Sequence, residues 1–170
     1  MSEMNDMKPP YPIILRWEEF IPGKGYIAQV KATGRALLLD EEEGDWWLYG
    51  VQPGGMAECG ETTAEAVYRF RDSLKVLLSD LAADASTFET FKAEVELYFN
   101  QVNDEQLGLW ADAVRKVREH QRIDDEYVSG LPRNSAATEC LIHITKIDEP
   151  FTVMPERAER DPVAVFEEAA

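Results

Sequence analysis

The sequence is poor in the residues that most often build reactive sites. It holds two cysteines and two histidines in 170 residues. Cys59 and Cys140 stand far apart, and neither belongs to a CxxC or Cys/His cluster. That spacing argues against a zinc site, and a disulfide scaffold is excluded for a chain this long. No serine or cysteine sits in a G-x-S-x-G elbow. No Lys-Ser/Thr follows Gly54-Gly55 or Gly60 to complete a Walker loop. His143 lies three residues after Cys140 on an expected strand, so the two side chains point to opposite faces. His120 falls at an expected helix C-terminus, where it fits a dipole contact. No third group is visible to orient either histidine, so no enzyme, metal or cofactor is expected.

Positive charge is scarce too. Lys and Arg number 17 against 33 Asp and Glu, a net charge of −16 at pH 7. This argues against a large phosphate-binding surface, since nucleic-acid affinity depends on cations neutralising phosphates. No run approaches the roughly 20 apolar residues of a membrane helix. The first residues, MSEMNDMKPPYP, lack the charged-then-apolar signal pattern. A cytoplasmic protein with no membrane contact is the expectation.

What is present is a sheet followed by helices. Apolar residues make up 45%, enough for one real core. Residues 1–11 read as a loose tail, and 12–150 as a single α+β domain. Short apolar runs at 13–17, 26–31, 36–42 and 46–51 read as antiparallel strands, with 56–59 as a further short piece. Turns are expected at 22–25, at Thr33-Gly34 and at Glu43-Gly44-Asp45. Thr62-Thr63-Ala64-Glu65 then fits a capping box. The helix behind it places Ala66, Val67, Phe70, Leu74, Leu77, Leu78 and Leu81 on one apolar face, able to cover one face of the sheet. Ser86-Thr87-Phe88-Glu89 reads as a second box, opening a helix with Phe88, Phe91, Val95, Tyr98 or Phe99, and Val102 on one stripe. Asn103-Asp104 caps a third helix carrying Leu107, Trp110, Val114 and Val117. Residues 86–121 are thus expected to form a helical hairpin inserted before a closing strand at 138–147. Residues 151–170 read as an acidic tail.

Two features stand out as possible contact surfaces. The run Asp40, Glu41, Glu42, Glu43, Gly44, Asp45 is the most charged point of the chain. It can hold a cation, meet a basic partner, or simply be a solvated hairpin tip; it lacks the regular ligand spacing of a calcium loop. In the adjoining strand, alternation buries one side of Trp46-Trp47-Leu48-Tyr49 and leaves Trp47 and Tyr49 on the other. With so few basic neighbours, that side suits a protein partner better than nucleic acid.

The stretch Tyr49-Gly50-Val51, then Gly54-Gly55-Met56-Ala57-Glu58-Cys59-Gly60-Glu61-Thr62-Thr63-Ala64-Glu65-Ala66-Val67, resembles the N-terminal domain of HicB-type antitoxins. The resemblance covers about residues 26–82 and implies a partial RNase H-like fold without catalysis. It also implies binding and neutralisation of a small basic toxin of the HicA mRNA-cleaving type, with autoregulation of the operon. The chain departs from the family pattern after the helix. Such antitoxins usually end in a DNA-binding domain, whereas residues 83–170 hold 19 acidic and 9 basic side chains. Direct DNA binding is therefore not expected. The alternative is an orphan of the same fold that assembles with itself, for instance as a homodimer.

Overall fold

The computed structural model describes residues 8–42, 44–119, 125–134, 139–147 and 163–169. The fold is α+β. Strands β1 (Tyr11–Pro22), β2 (Ile27–Glu42), β3 (Asp45–Gln52) and β4 (Ala57–Gly60) form an antiparallel meander. Helices α1 (Thr63–Asp84), α2 (Phe88–Phe99), α3 (Asp104–Arg118) and the short α4 (Glu126–Ser129) follow. Strands β5 (Arg133–Asn134), β6 (Leu141–Lys146) and β7 (Val163–Ala169) complete the sheet. Its order is β4-β3-β2-β1-β7-β5, with β6 also on β2. Every pairing is antiparallel except the two-residue β5 against β7.

β2 organises the sheet. The turn expected at Thr33-Gly34 is instead strand interior, and the two strands expected on either side of it are one strand of 16 residues. β1 runs along one edge of it. The other edge is shared: β6 pairs with residues 28–33 and β3 with residues 35–42. Gly34 stands where the partner changes. A Cβ there would lie 2.5 Å from the Gln52 carbonyl oxygen, so the close approach of β3 requires glycine.

The strands alternate between two faces. The first carries Ile13, Leu15, Trp17, Val30, Leu38, Trp46 and Leu48, all buried. α1 and α2 cover it with Phe70, Leu74, Leu78, Phe91 and Val95, in one continuous core. Both helices start as their sequences dictate. Thr62 Oγ1 accepts from Glu65 N–H at 3.1 Å, and Glu65 reaches back to Glu61 N–H at 2.9 Å, one residue before the cap itself. In α2 the cap is Thr87, which accepts from Thr90 N–H at 3.2 Å, one residue later than the expected Ser86 box. The segment around α4 adds to the same face. Asp125 caps α4 through Val128 N–H at 2.9 Å and also accepts from the buried Thr63 hydroxyl at 3.1 Å.

α3 does something the hairpin expectation did not include. Its Val114, Ala113, Leu107 and Trp110 pack on Ile14, Leu37, Leu39 and Val51, which point to the second face. α2 and α3 therefore lie on opposite sides of the sheet and do not pack side by side. The chain crosses over at residues 100–103, pinned to the end of β3. Gly54 N–H donates to Gln101 O at 2.8 Å, and Asn103 N–H donates to Val51 O at 2.9 Å. The Gln52–Pro53 peptide bond in this corner is cis.

The expected acidic tail is also corrected in part. Residues 151–162 lie outside the described residues, but 163–169 form β7, paired along β1 from Ile13 to Glu18. Tyr11, expected in the N-terminal tail, opens β1 and is buried. Residues 1–7 are not among those described.

Candidate functional site

The expected contact residues sit at the β2–β3 hairpin, and strand alternation sorts them. Trp46 and Leu48 go into the first-face core, while Trp47 and Tyr49 lie half-buried on the second face. Their rings stack with centroids 5.7 Å apart at 18°. The register places Leu39 and Cys59 beside Trp47, and Leu37 and Ala57 beside Tyr49. From the same face of β2, Glu41 reaches Tyr49: the phenol donates to Glu41 Oε1 at 2.7 Å. The Tyr49 hydroxyl is pushed up to about 12, first by burial and then by its bond to the Glu41 carboxylate and that charge. The phenol is thus held as a donor, and Glu41 as an acceptor.

Asp40 and Asp45 do not join them. Asp40 pairs with Trp46 in register and so belongs to the opposite face from Glu41. Asp45 is exposed at the turn, opposite Glu42. Glu42 ends β2, and Glu43 lies outside the described residues. Among the described residues, no group of three or more His, Cys, Asp or Glu converges as a metal site. Among the described residues Asp40 and Asp45 thus stand apart, while Glu41, Trp47 and Tyr49 form a single feature. An aromatic stack beside a carboxylate can take up a planar cation: the ring face attracts it and the carboxylate pairs with it.

The histidine and cysteine positions are settled by the same alternation. His143 is exposed on β6, opposite Lys31. Cys140 precedes that strand, and burial pushes its thiol up, with Arg35 acting weakly the other way. A thiol so shifted is a poorer nucleophile near neutral pH. Cys59 and Cys140 are both free. His120 lies outside the described residues.

One grouping escaped the sequence reading. Arg16 and Glu18 of β1, Lys31 and Thr33 of β2, and Leu141 and His143 of β6 line a groove of about 330 Å³ on the second face. The alternation of each strand was readable, but the pairing of β2 with β6 joins residues more than a hundred positions apart. No helix among the described residues is long and apolar enough to cross a membrane. Compared with known proteins, the chain finds no matching family model, no matching curated protein and no matching solved structure.

Proposed function

We propose that this is a non-enzymatic, HicB-like binding protein that captures and neutralises a small basic protein, such as a HicA-type mRNA-cleaving toxin. The observation that carries this reading is the half-buried Trp47–Tyr49 stack with Glu41 hydrogen-bonded to it. An arginine of the partner can lie on the indole and pair with Glu41, a contact worth about 0.5–2 kcal/mol depending on its desolvation. The chain's net charge of −16 supplies the long-range part. Such a field speeds the encounter with a basic surface and makes it sensitive to salt. The partner is a protein and not DNA, because the chain has too few cations to neutralise phosphates.

The test is capture from lysate at low and at moderate salt, followed by co-expression of whatever is captured. A small basic protein should be recovered in near-stoichiometric amount and lost as salt rises. Its growth inhibition should be relieved by the wild-type chain and not by a Trp47→Ala, Glu41→Gln double variant. Recovery of the bait alone as a defined dimer would sink the toxin reading. It would favour the self-assembling orphan, for which the exposed Tyr68 and Val76 of α1 and Leu97 of α2 offer apolar surface.

A further inference from the structure

The groove on the second face is built as a small grid. Cross-strand register sets Arg16, Thr33 and Leu141 side by side in one row, and Glu18, Lys31 and His143 in the next. Neighbouring strands are about 4.8 Å apart and alternate residues along a strand about 7 Å apart, so the six side chains stand over a patch roughly 10 by 7 Å. The row beyond is Ile14 and Arg35, and there α3 closes the end. Trp110 lies over the Arg35 guanidinium at 4.9 Å and its Nε1–H donates to the Ile13 carbonyl at 3.4 Å.

The charges in this grid run against those of the chain. Two of its six residues, Arg16 and Lys31, are cationic against one carboxylate, Glu18, in a protein with almost twice as many acidic as basic side chains. Arg16 uses its Nε–H on Glu167 at 3.2 Å, and the described residues give its two terminal nitrogens no hydrogen bond. Lys31 is exposed and, among the described residues, has one ion-pair contact, to Glu18 at 3.8 Å, beyond hydrogen-bond length. Glu18 is itself engaged, accepting from Gln29 Nε2 at 2.8 Å. Thr33 adds a hydroxyl, His143 a ring N–H, and half-exposed Leu141 an apolar wall. The negative field of the remaining chain reaches the groove weakened, since exposed charges are screened beyond about 8–10 Å at physiological salt.

We infer that this groove binds a small organic molecule through an oxyanion, held by the Arg16 terminal nitrogens and the Lys31 ammonium, with Thr33 and His143 as further hydrogen-bond donors. A guanidinium, an ammonium and a hydroxyl lining one groove are a set that recognises carboxylate and phosphate oxygens. The volume lies at the lower end of that of small-molecule sites. This site is separate from the Trp47–Tyr49 stack: along β2, the α3 contacts at Arg35 and Leu37 come between Thr33 and Glu41.

The experiment is a titration of the isotope-labelled full chain followed by backbone amide shifts, at constant ionic strength set with chloride. Inorganic phosphate and acetate are the two probes. Saturable shifts confined to residues 16–18, 31–33 and 141–143 with either probe support the site, and the probe that saturates names the oxyanion. Lys31→Gln should weaken that response about tenfold, the loss expected for one charge-assisted contact. His143→Gln should weaken it less. Both positions are exposed, so unchanged shifts elsewhere will show that the variants are folded. Shifts that grow linearly without saturating, spread over all basic residues, or persist unaltered in an Arg16→Gln, Lys31→Gln double variant would overturn the assignment.

Discussion

The two faces of the sheet are built from the same alternating strands and end up very different. The first is covered along its length by α1, α2 and the α4 segment, in one continuous apolar core. Among the described residues, the second is covered only in the middle, where α3 makes two small apolar clusters. On either side of α3 the described residues leave the second face open, with the Trp47–Tyr49–Glu41 cluster beyond one end and the cationic groove beyond the other. The first face holds the fold together. The second carries side chains whose pairing is incomplete among the described residues, and both candidate surfaces lie there.

That contrast can be broken by substitution. The largest effect is expected on the first face. Phe70→Ala or Phe91→Ala removes a fully buried ring and should cost about 3–5 kcal/mol in denaturant unfolding. Val114→Ala, under α3, should cost about 1–2 kcal/mol on the basis of two lost methyl groups. Equal losses from the two would contradict the unequal faces. Next comes the crossover. A Cβ on Gly54 would collide with the backbone of Val102 and Asn103, so Gly54→Ala should cost about 1–3 kcal/mol, as overpacking does. A neutral result would mean that the α2–α3 connection is not pinned there. The helix caps come third: Thr62→Ala and Thr87→Ala should each cost about 1 kcal/mol.

The smallest expected effect sharpens the site itself. An unfolded tyrosine ionises near 10, and Tyr49 in the folded chain near 12. Between those values the unfolded chain has lost its proton and the folded chain has kept it. The Tyr49 contribution to stability is therefore complete below pH 10 and is lost as pH rises through about 12. Tyr98 is raised to about 12 as well, by burial alone. Ultraviolet titration of a Tyr98→Phe background should place one tyrosine near 12, and adding Glu41→Gln should lower it. No movement on that change would remove Glu41 as its partner.

Much of this was readable from the chain because the signals were local. The caps at Thr62 and Asn103, the apolar face of α1 and the alternation through Trp46–Tyr49 each depend on residues within one or two turns. What escaped depends on distant partners. The stripe Leu107–Trp110–Val114 announces a helix that buries one side, but it does not say which face of a sheet receives it. β7 was read as part of a charged tail that carries Pro155 and Pro162 and ends in Glu-Glu-Ala-Ala, yet Glu168 is buried and Phe166 joins the first-face core. Gly34 suggested a turn, when its role is to let β3 approach. At the site, alternation separates Trp47 from Trp46, and Asp40 from Glu41 within the strand expected at 36–42, while the bond from Tyr49 to Glu41 emerged only from the fold.

The most direct test of the account is hydrogen exchange on the captured complex, compared with the free chain. If the second face is the binding face, protection on complex formation should concentrate in residues 39–49, around Glu41, Trp47 and Tyr49, and leave the outer surfaces of α1 and α2 unchanged. Protection centred on Tyr68, Val76 and Leu97, with 39–49 exchanging as in the free chain, would contradict it and move the interface to the helical side.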